Sequence, residues 1–189
     1  EPDRSLSADG RFVHDQRVVN LGTCRWDHPP ALQPTHPSVA AEVISLKANY
    51  PGIPVMMSKT DVKSAFRLVW IDLDDSTEFV TTVPGKPFDI PEDLHLVFMV
   101  LSFGFGGSPG EYQILAQVVK TYHHGHHPAN ALWNGGGLTS WFLVDDLVLV
   151  EVMIARRPNI SKRVAHRGIR FMFGPEAINE KKELVEGAW

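Results

Sequence analysis

The chain has 189 residues, 43% hydrophobic and 21% charged, which suits one substantial core with room for lobes. Its net charge of −4 excludes nucleic-acid recognition by bulk charge, though not by a local basic groove. A single cysteine, Cys24, excludes an internal disulfide framework and fits an intracellular protein, and the longest apolar run, near Leu94 to Phe105, is too short to span a bilayer. The polar opening "EPDRSLSADG" has no signal-peptide core, and a start at Glu1 rather than Met leads us to expect a processed or excised piece.

In chain order, "RFVHDQRVVN" reads as strand-like and "HPPALQPTHPSV" as an extended connection. Ser38 to Asn49 predicts a helix with an imperfect apolar face of Val39, Val43, Ile44 and Leu46, broken at Pro51. "VMMSKTDVKSAFRLV" reads as a strand entering a turn, and "STEFVTTVPGKPFDI" and "LHLVFMVLSFG" as further strands. Ser108, Pro109 and Glu111 predict a capping box opening a helix, continued by Tyr112, Leu115, Val119 and Tyr122. His123, His124, His126 and His127, broken by Gly125 and Pro128, read as an exposed helix cap rather than a zinc site. Asn134 to Gly137 reads as a turn into a hairpin. The tail predicts a short helix, a strand near Arg170 to Phe173 and a polar turn. Strands and helices mix without regular alternation, so the fold class is α+β.

The hairpin "SWFLVDDLVLVE" carries the chemistry. Asp145 and Asp146 lie between two apolar runs, where an unpaired carboxylate is costly. Neighbouring residues of a strand face opposite ways, so two adjacent aspartates serving one site belong at the tip of a β-hairpin. Asp61 ends another apolar, strand-like segment and is expected to converge with Asp145. Such oxygen donors suit Mg²⁺, which takes one or two carboxylates and completes its shell with water and phosphate. Paired ions of this kind activate an attacking oxygen and stabilise a leaving one.

Three motifs then carry a family resemblance. "TDVKSAF" resembles the first carboxylate motif of reverse transcriptases, "LSFGFGGSPGEYQ" their glycine-rich motif leading into a palm helix, and "FLVDD" their double-aspartate hairpin, in the family's order. "RFVHDQRVVN" is similar to the fingers segment and "AINEKK" to the lysine-bearing motif. The pattern is closest to gypsy-like long-terminal-repeat retrotransposons. The resemblance implies a palm, an antiparallel sheet with helices on one face, over residues about 51–69 and 106–189. Partial fingers would cover residues about 1–50 and 70–105, with no thumb or RNase H.

It further implies that Asp61 and Asp145 bind two Mg²⁺ ions, or Mn²⁺ in their place, with Asp146 in support and the Val62 carbonyl as a further ligand. Phe66 would lie under the incoming sugar and exclude a 2′-hydroxyl, while Phe103 and Gly104 border the nucleotide pocket. Gly106 and Gly107 would let backbone approach template or primer. Leu143 and Val144 would touch nucleic acid, Leu143 standing where the family has an aromatic. Ser102 likewise stands where the family has Pro. Arg11 and Arg4 would hold the triphosphate, and Lys181 or Lys182 would neutralise the departing pyrophosphate. The implied partners are deoxynucleoside triphosphates, a primed RNA or DNA template and the remaining regions of a polyprotein, with no membrane. The implied setting is a cytoplasmic particle or the nucleus. Two alternatives stay open: a decayed copy that keeps only fold or binding, and another palm-type polymerase, against which Phe66 argues.

Overall fold

Val148, Val150 and Val152 alternate with Leu147 and Leu149 in one strand, so this strand is apolar on both faces and needs cover on both. The computed structural model describes residues 15–128 and 136–188 and meets that need. The helices are α1 (Arg17–Gly22), α2 (His36–Asn49), α3 (Ser108–His124) and α4 (Arg157–Phe173). The strands are β1 (Val55–Asp61), β2 (Val80–Val83), β3 (Leu94–Val97), β4 (Ser140–Leu143), β5 (Asp146–Val152) and β6 (Leu184–Ala188). The protein is α+β, with an antiparallel four-stranded sheet in the order β4-β5-β1-β6 and a separate β2-β3 pair.

The sheet carries helices on both faces, not on one as expected. Leu147 and Leu149 join Phe142, Tyr112, Ala116, Val119, Ala165 and Ile169 in the core beneath α3 and α4. Val55, Val148, Val150 and Val152 form a second cluster that Val39, Val43 and Leu46 of α2 cover. The predicted helix is therefore present, but Ile44 turns outward and is 68% exposed. Helices α3 and α4 run antiparallel, with Tyr112 stacked on Phe173 at one end and His123 bonded to Ser161 at the other. Gly168 lets them approach, since a Cβ there would lie 3.1 Å from the Tyr122 ring and 3.2 Å from Val119.

Three local expectations change. Residues 17–20 of the strand-like segment are helical, as the start of α1, where the Asp15 carboxylate accepts from the Arg17 backbone N–H and guanidinium and forms a turn. No strand occurs at Arg170 to Phe173; α4 runs through it, since Ala165, Gly168, Ile169 and Phe173 bury one helical face. The capping box does not form. Gly107 is the N-cap, Ser108 Oγ donates to the Ser102 carbonyl, and Glu111 pairs with His28 at 3.0 Å. The strands β2 and β3 are present and pair from Val80↔Val97 to Val83↔Leu94. Backbone bonds from Ile71 to Met99 and from Leu101 to Val69 tie this unit to the rest.

The histidine run is an exposed cap only in part: His127 is exposed, but His123 and His124 are not. His123 is fully buried and bonded to Ser161 at 2.9 Å, and His124 Nε2 lies 3.1 Å from the Ser140 backbone. Burial, with the neighbouring His124 adding to it, pushes the His123 imidazole down to about 3. Of the turn expected at Asn134 to Gly137, Asn134 and Gly135 lie outside the described residues, while the Gly137 carbonyl accepts from Arg157. Arg157 in turn forms a buried ion pair with Glu151 at 2.6 Å. Burial raises the Glu151 carboxyl against the opposing pull of that guanidinium.

Candidate functional site

The β4–β5 hairpin closes through a two-residue turn, because Leu143 pairs directly with Asp146. Val144 takes φ +57°, a strained conformation for a β-branched residue. Its N–H donates to Gln33 Oε1 at 2.9 Å. Asp145 thus sits at the hairpin tip and Asp146 opens β5, where it faces Asp61 across the ladder. The Val62 N–H donates to the Asp145 carbonyl at 2.8 Å and locks the tip against the end of β1. Behind them the Asn179 N–H donates to the Asp61 carbonyl, which brings the 177–182 segment alongside.

Asp61 and Asp145 line one cavity of about 390 Å³, together with Val62, Lys63, Ser64, Ala65, Arg67, Phe103, Asn179 and Lys182. The predicted convergence of these two carboxylates is therefore present. Asp61 is buried and its Oδ1 lies 3.1 Å from Lys182 Nζ. Asp146 pairs instead with Lys59 at 2.8 Å, while its Oδ1 is buried without a partner among the described residues. The Asp146 hydrogen bond raises the Lys59 ammonium, with Asp61 and Asp145 adding to it. Burial, and then the nearby charges of Asp145, Asp61 and Asp146, push the Tyr112 phenol up.

Among the described residues no three His, Cys, Asp or Glu side chains form a ready-made metal cluster. Two carboxylates on one cavity nevertheless fit a cation that completes its shell with water and phosphate oxygens. Asp146, directly opposite Asp61 in the ladder, does not line that cavity, and its Oδ1 is buried without a hydrogen-bond partner among the described residues. The opposite charge is present too: Lys63, Arg67 and Lys182 line the same cavity. Carboxylates facing cations in one space suit a metal-bound polyphosphate, because each half of such a ligand meets its counter-charge.

The remaining expected site residues divide. Phe66 is buried rather than presented at the cavity; its ring backs Phe103 with centroids 5.1 Å apart, and Phe103 is 47% exposed. Lys182, not Lys181, reaches Asp61; the short 3-10 turn Glu180–Lys182 directs only one of the pair inward. Leu143 packs against the cluster under α2, and Val144 is exposed at the tip. Arg4 and Arg11 lie outside the described residues.

Gly104 takes φ +96°, which a residue with a side chain adopts only under strain. A Cβ on Gly107 would meet the Phe105 ring at 2.6 Å and His28 at 2.8 Å, so this bare Cα answers an internal approach. Gly106 lies against Asn20.

Sequence reasoning missed how that loop is held. Asn20 Nδ2 donates to the Gly104 carbonyl at 2.8 Å, and the Gly106 N–H donates to Asn20 Oδ1 at 2.8 Å. Gln16 Nε2 donates to Ser102 Oγ at 3.0 Å. The four-residue spacing of Gln16 and Asn20 was the available signal, since it places both on one side of a helix. Lys63 and Arg67 were missed as well; their signal was two basic residues closely following Asp61.

A scan of protein-family models and a search of curated proteins return no match to this chain. No helix among the described residues is long and apolar enough to cross a membrane.

Proposed function

We propose that the chain is the catalytic core of a reverse transcriptase, palm with partial fingers, that transfers deoxynucleotides onto a primer 3′-hydroxyl. The observation that carries the reading is the convergence of Asp61 and Asp145 on one cavity whose other residues include Lys63, Arg67 and Lys182. The order of the carboxylate, glycine-rich and double-aspartate motifs supports it.

In this reading Asp61 and Asp145 hold Mg²⁺, or Mn²⁺, with the Val62 carbonyl beside them and Asp146 in support. Bound there, the ions supply charge neutralisation for the attacking and leaving oxygens. The primer 3′-hydroxyl gives up its proton to water and its oxygen bonds to the α-phosphorus as the bond to pyrophosphate breaks. Lys63 and Arg67 hold the phosphates, and Lys182 leaves Asp61 to neutralise the pyrophosphate. Phe103, backed by Phe66, sets the floor on which a 2′-hydroxyl would clash. Catalysis is then positioning and fixed charge.

A second reading keeps fold and nucleic-acid binding without catalysis. The ammonium groups of Lys182 and Lys59, already paired with Asp61 and Asp146, favour it.

Primer extension on a primed RNA template with Mg²⁺, comparing the chain with Asp145→Asn, separates the two. Extension by the parent and a loss of about a thousandfold in the variant is the expected result. Template binding by the parent without extension, at any Mg²⁺ or Mn²⁺ concentration, would favour the second reading. Absence of both would overturn the polymerase assignment.

A further inference from the structure

The face of α3 and α4 turned away from the sheet has no part in the chemistry above. A groove of about 790 Å³ runs between the two helices there. One wall is apolar: Val118 and Tyr122 lie one turn apart on α3 and are 46% and 36% exposed. Ile114, a further turn back, continues the stripe at 50% exposure. Phe171 of α4 lines the same groove and is 87% exposed. Exposed apolar side chains gathered in a concave strip mark a contact surface more than a solvated one.

The other wall is cationic. Arg163, Arg167 and Arg170 line the groove at i, i+4 and i+7, one stripe along α4 about 10 Å long. All three are exposed. Arg163 and Arg167 make no ion pair among the described residues, and Arg170 lies 4.0 Å from the exposed Glu180. No Asp or Glu occurs anywhere within α4. Arg163 and Arg167 therefore lack a counter-charge among the described residues, although the chain as a whole is acidic.

We propose that this groove docks an acidic amphipathic helix of a partner protein. Its apolar edge would rest on Val118, Tyr122 and Phe171, and its carboxylates would pair with Arg163, Arg167 and Arg170. Helical spacing of the arginines matches carboxylates at i, i+4 and i+7 of a helix laid alongside. A nucleic-acid strand fits less well. It needs successive flat platforms for its bases, and of the apolar side chains lining the groove only Tyr122 and Phe171 are aromatic, beside Val118, Val119, Met172 and Pro175. The proposal is independent of the polymerase reading.

The test uses a fluorescent synthetic peptide of about 16 residues, with leucines at i, i+4, i+7 and i+11 and glutamates flanking them. Its anisotropy is titrated with the chain, against a glutamine-for-glutamate peptide and a labelled single-stranded oligonucleotide. We expect saturable binding of the glutamate peptide, about tenfold tighter than the glutamine one and weakened by salt. Arg163→Glu with Arg167→Glu, both on exposed positions, lowers that affinity about tenfold, and a lysine-bearing peptide restores it. Val118→Asn, on the opposite wall, weakens both the glutamate and glutamine peptides. Equal affinity for these two peptides would overturn the proposal. So would an unaltered affinity in the double arginine variant, or displacement of the peptide by the oligonucleotide at lower concentration.

Discussion

Val144 is the most strained residue of the hairpin that presents Asp145. A β-branched side chain at φ +57° costs on the order of 1–3 kcal/mol, and the position is 42% exposed, so little packing offsets it. Val144→Gly should therefore raise stability by about 1 kcal/mol, after the glycine's extra chain entropy is subtracted. Urea denaturation checks this as a higher midpoint with an unchanged slope. A lowered midpoint would mean that contacts of the Val144 side chain outweigh its strain. The neighbouring aspartates were legible because two carboxylates inside an apolar hairpin break its pattern. Which one meets a lysine was not, since Lys59 and Asp146 are brought together by pairing between strands distant in sequence.

Helix α1 has no buried residue of its own, and Asn20 contributes by holding another segment. Its amide makes two bonds to the backbone of the glycine-rich loop, each worth about 1 kcal/mol net. Asn20→Ala leaves the Gly106 N–H without that acceptor. Its hydrogen exchange should quicken about tenfold, while exchange within β5 stays unchanged. An unaltered Gly106 rate would show that the loop is held by its other contacts, such as Gln16 to Ser102. The start of α3 shows the same logic in reverse. Ser108 and Glu111 have the spacing of a capping box, yet both side chains bond elsewhere, to Ser102 and His28. A local signature marked where the helix begins, and tertiary partners took the side chains that would have capped it.

Acid stability belongs to the protein as a whole. Burial holds His123 down to about 3, and burial also lowers His124 and His166. In the unfolded chain these imidazoles return to about 6.5. Below that pH the unfolded state binds protons that the folded state refuses. Stability therefore falls as pH drops from about 6.5 toward 3, with a slope approaching 1.4 kcal/mol per pH unit for His123. Glu183 adds to the loss at lower pH: burial raises it, but Lys162 and His166 outweigh that and lower it. Glu151, raised by burial, opposes the trend. Urea midpoints should be lower at pH 5.5 than at pH 7.5, and His123→Leu should narrow the difference. Equal midpoints at the two pH values in the parent would show that His123 takes up its proton without cost.

Local pattern announced α2, α3, the hairpin and the α+β class, because apolar periodicity and turn residues act between near neighbours in the chain. It also announced Asp61 and Asp145 as charges ending apolar strands. Partnership across the fold was decided elsewhere. The strand β5 declared two apolar faces, but only packing assigned α2 to one and α3 with α4 to the other. Lys181 and Lys182 are adjacent and chemically alike, and the turn at Glu180–Lys182 chose between them. His123 has the composition of an exposed cap and is buried because α4 lies against it. In each case the energy depends on distance and desolvation between groups far apart in the chain, which no local window contains.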